Sequence, residues 1–353
     1  MVYIPHEVVK AQPIVDAAAG MTAQNLIISK LFTRESTSKF AGREGDKIVM
    51  RVPGRLPYRR YAFRNNRANP IIFDVYKEGK SDVTMGDRIY SAVQLIDEQV
   101  DFDNINWSFL LPKQAEAVAT GIEQEAAALL ENVPWSVTIG GAEANLRSAV
   151  LEANKTLKQM RVNDTSKFLL VGADFEQALL EDDKIVFAAY SGDAVADRAL
   201  TEASLGRIAG FQVVSSMEVP SDTAYAFTGS AFTMYTGAPV VPASVKNGGT
   251  TSYDGISLRW LTDYDPDYMT DRSLVDAYCG TGVARDRLLP ASAYYTESPD
   301  PVALEPNTKD YFLRGLKLTL GGTSDVLDDE AFQLETGIKT PWVAPAKALV
   351  LTV

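Results

Sequence analysis

The chain has 353 residues, of which 46% are hydrophobic, and it carries a formal net charge of -12 at pH 7. This length and apolar content predict a globular protein with a sizeable core and about two or three structural units. The acidic balance argues against a dedicated nucleic-acid binder, because affinity for a polyanion comes mainly from neutralising its phosphates. The single cysteine, Cys279, excludes an intrachain disulfide, and with the single histidine, His6, it excludes the usual zinc sites.

The first 45 residues predict an N-terminal arm. They contain a short amphipathic segment, 14–32, between polar flanks. No basic region precedes an uninterrupted apolar block at the N-terminus, so we expect no secretion signal. Polar residues interrupt the most apolar windows, and we therefore expect no membrane-spanning helix and a soluble, intracellular protein.

A long β-hairpin is predicted next, over residues 46–100. The stretch KIVMRV at 47–52 alternates in polarity, and residues 89–100 offer a matching return strand. The intervening tip of about 35 residues is long for a compact domain, and loops of that length are usually functional.

Basic and aromatic residues are interleaved at the tip of this hairpin. Between Asp46 and Asp74 the chain has no acidic residue but seven basic ones. Stacking of nucleic-acid bases is one explanation and a solvated loop is another. We favour a protein interface, because arginine and tyrosine are enriched there and arginine pairs with carboxylates of an acidic partner, which includes other copies of this chain. The predicted intersubunit contacts are Arg55, Tyr58, Arg59, Arg60, Tyr61, Phe63, Arg64 and Arg67.

Apolar residues recur at spacings of three and four over 111–131, which predicts a long helix. Because proline is tolerated in a first turn, this helix is expected to begin near Pro112, with Trp107 before it. A second helix is predicted over 143–160. The stretch KFLLVG predicts a buried strand, and a short helix over 174–180 is expected to begin on an aspartate cap.

The remaining chain is predicted to be rich in β-structure. FQVVSS, AYAFTG and ISLRWL read as short strands, and SLVDAYCGTGVA as a long buried strand that contains Cys279 as a structural thiol. The proline-rich stretch PDPVALEPN resembles a linker. We therefore expect residues 296–353 to form a small appended β extension with strands at LKLTL and KALVLTV.

No catalytic, cofactor or metal site is predicted. Residues 79–81, Gly-Lys-Ser, lack the upstream glycine of a phosphate loop. The acidic stretch 263–271 has the opening spacing of a calcium loop, but it lacks the required glycine and glutamate, so a solvated loop is expected. Glu116 and Glu123 are expected on a solvated or subunit-facing surface of the long helix.

Several stretches, together with the order of elements, resemble the major capsid proteins of tailed double-stranded DNA bacteriophages with the Hong Kong 97-like fold, particularly those of phages of actinobacteria. These are GDKIVMRVPG, DRIYSAVQLIDEQVDFDNINW, LLVGADFEQALL, LGRIAGFQVVSSMEVP and SLVDAYCGTGVARDRLLP. The resemblance covers about residues 1–295 and rests on texture and element order, since this family has no catalytic signature.

The resemblance implies an α+β fold with five parts. They are an N-terminal arm (1–45), an extended β-hairpin loop (46–100), a peripheral domain (101–162 and 269–295) with a spine helix at 111–131, an axial domain (163–268) and a C-terminal β extension (296–353).

The function implied by the resemblance is structural rather than enzymatic. Such subunits assemble into hexamers and pentamers of an icosahedral shell, formed in the host bacterial cytoplasm and retained in the virion. Implied partners are other copies of the chain, a portal, scaffolding or decoration proteins, and packaged double-stranded DNA bound without sequence specificity. Some members crosslink a loop lysine to a neighbour, and Lys77 and Lys80 are candidates here. The alternatives are an encapsulin-like cellular compartment and a soluble enzyme.

Overall fold

The computed structural model describes most of the chain between residues 26 and 327. The described residues are 26–36, 47–52, 56–61, 70–76, 78–101, 107–141, 146–162, 166–181, 206–245, 247–253, 256–287 and 311–327. No helix in this part of the chain is both long enough and apolar enough to cross a membrane.

The secondary structure mixes helices and strands. The helices are α1 (Ile28–Leu31), α2 (Asp97–Asp101), α3 (Trp107–Asn132), α4 (Leu146–Gln159) and α5 (Ala173–Leu180). The strands up to residue 228 are β1 (Thr33–Ser36), β2 (Lys47–Val52), β3 (Gly79–Thr84), β4 (Arg88–Ile96), β5 (Val137–Gly141), β6 (Lys167–Val171), β7 (Arg207–Ile208), β8 (Phe211–Ser215) and β9 (Thr223–Thr228). The later strands are β10 (Phe232–Gly237), β11 (Asn247–Tyr253), β12 (Ile256–Asp265), β13 (Thr270–Val283), β14 (Arg285–Arg287), β15 (Tyr311–Leu313), β16 (Gly315–Leu320) and β17 (Asp325–Val326).

The chain divides into two compact units, each built from segments distant in sequence. Unit 1 comprises residues 1–48, 83–132 and 232–282, and unit 2 comprises residues 49–82, 133–231 and 283–353. These boundaries differ from the predicted ones. The span 163–268, predicted as a single axial domain, is divided between the two units at residue 232.

Unit 1 is a six-stranded sheet with α3 packed on it. The strand order is β1-β10-β13-β12-β11, and β4 also pairs with β13. The expectation that residues 89–100 return along 47–52 is wrong. Strand β4 runs antiparallel to β13 instead, and β2 pairs with β3. Alternating polarity specifies which face of a strand is buried, but it does not specify the neighbouring strand.

Helix α3 begins at Trp107, and Pro112 lies inside it. Proline has no N–H to donate to the carbonyl of residue 108, so the early turns lose a hydrogen bond. Tertiary contacts nevertheless extend the helix N-terminally past the predicted start, and the indole Nε1 of Trp107 donates to Asp271 Oδ2 at 3.0 Å. Gly121 is explained by close packing on β4, because an added Cβ would lie 2.7 Å from Ile89 Cγ2.

Unit 2 is built on a seven-stranded sheet with the order β17-β5-β16-β9-β6-β8-β7. Helices α4 and α5 contribute Leu146, Val150 and Phe175 to its buried core. Helix α5 begins after Gly172, which makes no side-chain cap, so the expected aspartate cap is wrong and Asp174 lies in the first turn.

The segment expected to be an appended extension supplies an interior strand of unit 2. Strand β16 lies between β5, to which it is parallel, and β9, to which it is antiparallel. Leu316 and Leu318 are fully buried. A proline-rich stretch before a strand indicates a break in regular structure, not a domain boundary, and β16 returns to the sheet from a distant point in the sequence. Residues 328–353, including KALVLTV, lie outside the described part.

Cys279 lies in β13 and is 2% exposed, as expected for a structural thiol. Burial, with a smaller contribution from Glu125, raises the pKa of this thiol to about 12. Because the thiolate is the reactive form, we expect no reaction with an aromatic disulfide reagent at pH 8 in the native state and full reaction in denaturant. Rapid release of the chromophore from native protein would contradict this. His6 lies outside the described residues.

Candidate intersubunit surface

The extended loop is described in two segments, residues 56–61 and 70–76, beyond the paired strands β2 and β3. Four predicted contact residues fall in the first segment, namely Tyr58, Arg59, Arg60 and Tyr61. Four others lie outside the described residues, namely Arg55, Phe63, Arg64 and Arg67.

Arg59 forms a bidentate pair with Asp74, which joins the two segments. Its Nε lies 3.0 Å from Oδ2 and its Nη2 lies 2.6 Å from Oδ1. The hydrogen bond to Asp74 raises the pKa of the guanidinium. A carboxylate of the same chain therefore holds Arg59, and the pair braces the loop internally. Asp74 is the residue that ends the acid-free stretch, which is the sequence signal for this pair.

Apolar side chains dominate the exposed side of the loop. Along the second segment, Ile71, Phe73 and Val75 are 70%, 82% and 48% exposed, whereas the side chain of Asp74 is only 10% exposed. This alternation is the period of an extended chain, with one side turned toward Arg59 and the other toward solvent. We define the loop patch as the exposed apolar and aromatic residues of both segments: Leu56, Tyr58, Tyr61, Ile71, Phe73, Val75 and Tyr76.

Of this patch, the sequence analysis identified only Tyr58 and Tyr61. Its attention was drawn to the arginines, and the apolar run at 71–75 lies after them. The available signal was an apolar run inside a loop too long to bury itself. Several exposed apolar side chains on one loop are typical of interaction sites in soluble proteins.

The acidic stretch 263–271 spans the end of β12, the turn that follows it and the start of β13. Arg272 lies 3.3 Å from Asp263 and 3.0 Å from Asp265, so the stretch is partly neutralised rather than merely solvated. The hydroxyl of Tyr264 donates to Asp97 at 3.0 Å, and this bond raises the pKa of the tyrosine. No cluster that could hold a metal ion is found among the described residues.

The two glutamates of α3 have different environments. Glu116 is exposed and lies 3.0 Å from Lys113, as expected for a solvated helix surface. The same expectation is wrong for Glu123, which is 4% exposed. Its carboxylate accepts hydrogen bonds from residues 27–29, near the N-terminal end of the described chain.

A buried charge cluster lies in the sheet of unit 1. Asp276 is fully buried, and Arg259 holds it bidentately at 3.0 and 2.7 Å. Arg88 also pairs with Asp276 and lies 5.6 Å from the ring centroid of Tyr278. Asp276 occurs in SLVDAYCGTGVA, where the sequence analysis treated it simply as part of an apolar strand.

A groove of about 470 Å³ is also present in unit 1, lined by apolar and polar residues of β4, β12 and β13 together with Val245. Its polar lining includes Ser273, whose hydroxyl accepts from Trp260 Nε1 at 2.9 Å and donates to Gln114 Oε1 at 2.8 Å. Both bonding directions of this hydroxyl are therefore engaged in structural contacts. The groove does not present Ser273 as an activated nucleophile.

The fold can be compared with that of known proteins. A structure from Mycobacterium phage Che8 is similar to this chain, with a TM-score of 0.53 and 17% sequence identity. The similar region covers 73% of this chain and 87% of the phage Che8 chain. The capsid structure of cyanophage P-SCSP1u is similar over 83% of this chain and 87% of that chain, with a TM-score of 0.51 and 13% identity. The mature capsid structure of bacteriophage PhiM1 is similar over 91% of this chain and 90% of that chain, with a TM-score of 0.52 and 10% identity. At such identities the similarity shows the fold alone, and it confirms the predicted α+β, Hong Kong 97-like class.

The family is shown by sequence. No curated protein matches the chain significantly. A family model described as phage capsid protein matches residues 86–296, which is more than half of the chain. Together with the fold, this match confirms the resemblance inferred from sequence. The chain therefore belongs to the phage capsid protein family and is a major capsid structural subunit.

Proposed function

We propose that the chain forms hexamers and pentamers of an icosahedral shell around the phage genome, and that the loop patch contacts a neighbouring subunit. The observation that carries the contact proposal is the exposure of Ile71, Phe73 and Val75 on a loop braced by the Arg59–Asp74 pair. A braced loop loses little conformational entropy when it docks, so more of the contact energy is retained.

Apolar burial contributes more to this contact than ion pairing does. Burying a side chain such as phenylalanine or isoleucine stabilises by about 1.5–3 kcal/mol. An exposed ion pair contributes only about 0–1 kcal/mol. Of the described arginines predicted from sequence, the exposed Arg60 then acts at the rim, where charge governs orientation and rate of association. Repetition of the contact around closed symmetry makes the shell stable.

We further propose that the packaged DNA is held without sequence-specific binding, and that a portal and scaffolding or decoration proteins complete assembly in the host cytoplasm. The net charge of -12 supports the first part. An acidic wall repels DNA weakly at physiological ionic strength, whereas a basic wall would bind it.

A catalytic role is not part of this proposal. The hydroxyl of Ser273 is hydrogen-bonded to both Trp260 and Gln114, and the carboxylate of Glu123 accepts hydrogen bonds from backbone N–H groups. The same observations disfavour a soluble enzyme. An encapsulin-like compartment would be recognised by an enzyme cargo inside purified particles.

The contact proposal is tested by replacing Ile71 and Phe73 together with serine. We expect the subunit to fold, because both side chains are exposed, but shell yield to fall at least about tenfold, since two such contacts are lost at every interface. Sedimentation and negative-stain electron microscopy measure shell yield, and circular dichroism measures folding.

The matched control is Met217→Ser, which replaces an exposed apolar side chain of unit 2 outside the loop patch. This variant is expected to form shells in normal yield. Arg60→Ala is expected to have a smaller effect than the double replacement, because a rim charge contributes less than buried apolar area. Normal shell yield for the double variant would refute the contact proposal without affecting the family assignment.

A further inference from the structure

Residues 26–36 belong to unit 1 and pack on its helix α3 and its strand β10. Leu26, Ile28 and Phe32 are buried, and the Phe32 ring lies 5.1 Å from the Phe232 ring. Strand β1 then adds to the edge of the sheet as a parallel partner of β10, from Thr33 opposite Thr233 to Ser36 opposite Thr236. The segment therefore contacts α3 at its start and closes a sheet edge at its end.

A single carboxylate of α3 binds the start of this segment. Glu123 accepts hydrogen bonds from the backbone N–H groups of Ile27 at 3.0 Å, Ile28 at 2.7 Å and Ser29 at 3.2 Å. The hydroxyl of Ser29 donates to the same carboxylate at 2.8 Å. Ile27, at the N-cap of α1, has no side-chain cap of its own. Glu123 thus supplies from a distant helix the cap that the local sequence lacks.

Helix α1 depends on this tertiary cap. It has four residues, far fewer than an isolated helix needs to be stable in water. Its single turn lies against Glu123, so the N–H groups at its start all point to that one carboxylate. Without that acceptor the turn loses its cap and the hydrogen bonds that stabilise its helical conformation.

The charge of Glu123 is satisfied by the segment itself. Within the described residues no lysine or arginine pairs with it, and its partners are the N–H groups and the hydroxyl of residues 27–29. A buried carboxylate is strongly disfavoured without hydrogen-bond donors. If the segment leaves, water can donate hydrogen bonds to the carboxylate of Glu123 in place of residues 27–29. The carboxylate therefore has donors both when the segment is bound and when it is released. A partly released segment would leave the carboxylate with neither full set of donors, and this intermediate is disfavoured. Such an arrangement favours two discrete states over gradual loosening.

We propose that Glu123 is the positioning residue of a detachable clasp, defined as residues 26–36. The clasp docks while the carboxylate binds residues 27–29, and it leaves α3 and β10 as one piece when that binding is lost. Release opens the edge of β10 at 233–236, whose backbone groups then lack their strand partner. The remaining strands of the unit 1 sheet keep their partners in this state, so release is local.

The test is hydrogen exchange followed by mass spectrometry on the unassembled full-length chain, with Glu123→Gln as the first variant. The amide retains the size of the side chain but replaces one acceptor oxygen with a group that donates. We expect peptides from 26–36 to exchange at least about tenfold faster than in the wild type, with peptides of β12 and β13 unchanged. The control Glu116→Gln, an exposed glutamate on the same helix, is expected to exchange like the wild type.

A second variant, Ser29→Ala, removes one donor of the set and leaves the backbone bonds in place. Its exchange is expected to be faster than wild type in the same segment, but less so than for Glu123→Gln. Wild-type exchange of 26–36 in Glu123→Gln would overturn the proposal. If that variant loses protection throughout unit 1, Ser29→Ala decides, because wild-type exchange there also overturns the clasp. The measurement uses unassembled chains, so its result is independent of the loop-contact proposal.

Discussion

Truncation of the chain after residue 310 is expected to abolish folding of unit 2. The deletion removes β16 from between β5 and β9, which leaves the facing edges of both strands without partners. It also removes the fully buried Leu316 and Leu318. Loss of one buried leucine side chain typically costs about 2–5 kcal/mol, and a whole domain is stable by only about 5–15 kcal/mol.

Side-chain contacts of the removed segment point the same way. Arg314 holds Asp286 bidentately at 2.7 Å for both bonds, and its Nη1 donates to Ser230 Oγ at 2.8 Å. Truncation leaves both partners without this cation. An appended extension, as expected from sequence, would have contributed only modestly to the stability of its own subunit.

Soluble yield and circular dichroism measure the outcome of the truncation. The matched control is truncation after Leu327, which retains β15, β16 and β17 and is expected to preserve the sheet of unit 2. If the chain ending at residue 310 is soluble with an unchanged spectrum and a single cooperative transition, the assignment of β16 as an essential interior strand is wrong.

Replacement of Asp276 by asparagine is expected to destabilise unit 1 by about 3–5 kcal/mol, the usual cost of removing one partner from a buried ion pair. The reason is Arg259, which is 6% exposed and would keep its charge without the carboxylate that now binds it. Its other hydrogen bond, from Nη1 to the carbonyl of Val240 at 2.6 Å, would leave the rest of the buried guanidinium without an acceptor. Arg88 loses the same partner but is more exposed.

The free energy of unfolding from denaturant titration measures this effect. Asp263→Asn is the matched control, because Asp263 pairs with Arg272 at the surface, where both side chains are about half exposed. Its expected cost is about 0–1 kcal/mol. A cost below about 1 kcal/mol for Asp276→Asn would show that the buried cluster contributes nothing beyond an ordinary surface pair.

The expected effects differ in kind among the variants. Loss of β16 or of the Asp276 charge acts within one subunit, whereas the loop patch acts between subunits and the Glu123 clasp acts on one segment. This separation would allow the core to stay folded while the proposed loop contact forms or the proposed clasp is released. The described contacts assign each role to different residues.

Local elements and family were determined by the sequence itself. Apolar spacing along 111–131 predicted the long helix, and KFLLVG, FQVVSS and AYAFTG became β6, β8 and β9. These features depend on short-range periodicity, which a chain expresses wherever it lies in the fold. The stretches quoted in the sequence analysis led to the capsid family.

Tertiary structure decided which elements meet and which side chains are buried. It paired β4 with β13, inserted β16 between β5 and β9, and placed Glu123 in front of residues 27–29. It also directed Arg59 to Asp74 and left Phe73 exposed. Each of these outcomes depends on which distant parts of the chain come together, and periodicity does not specify that. A glutamate looks the same in the sequence whether its carboxylate faces water or binds several N–H groups. Only the packing of the folded chain distinguishes Glu116 from Glu123.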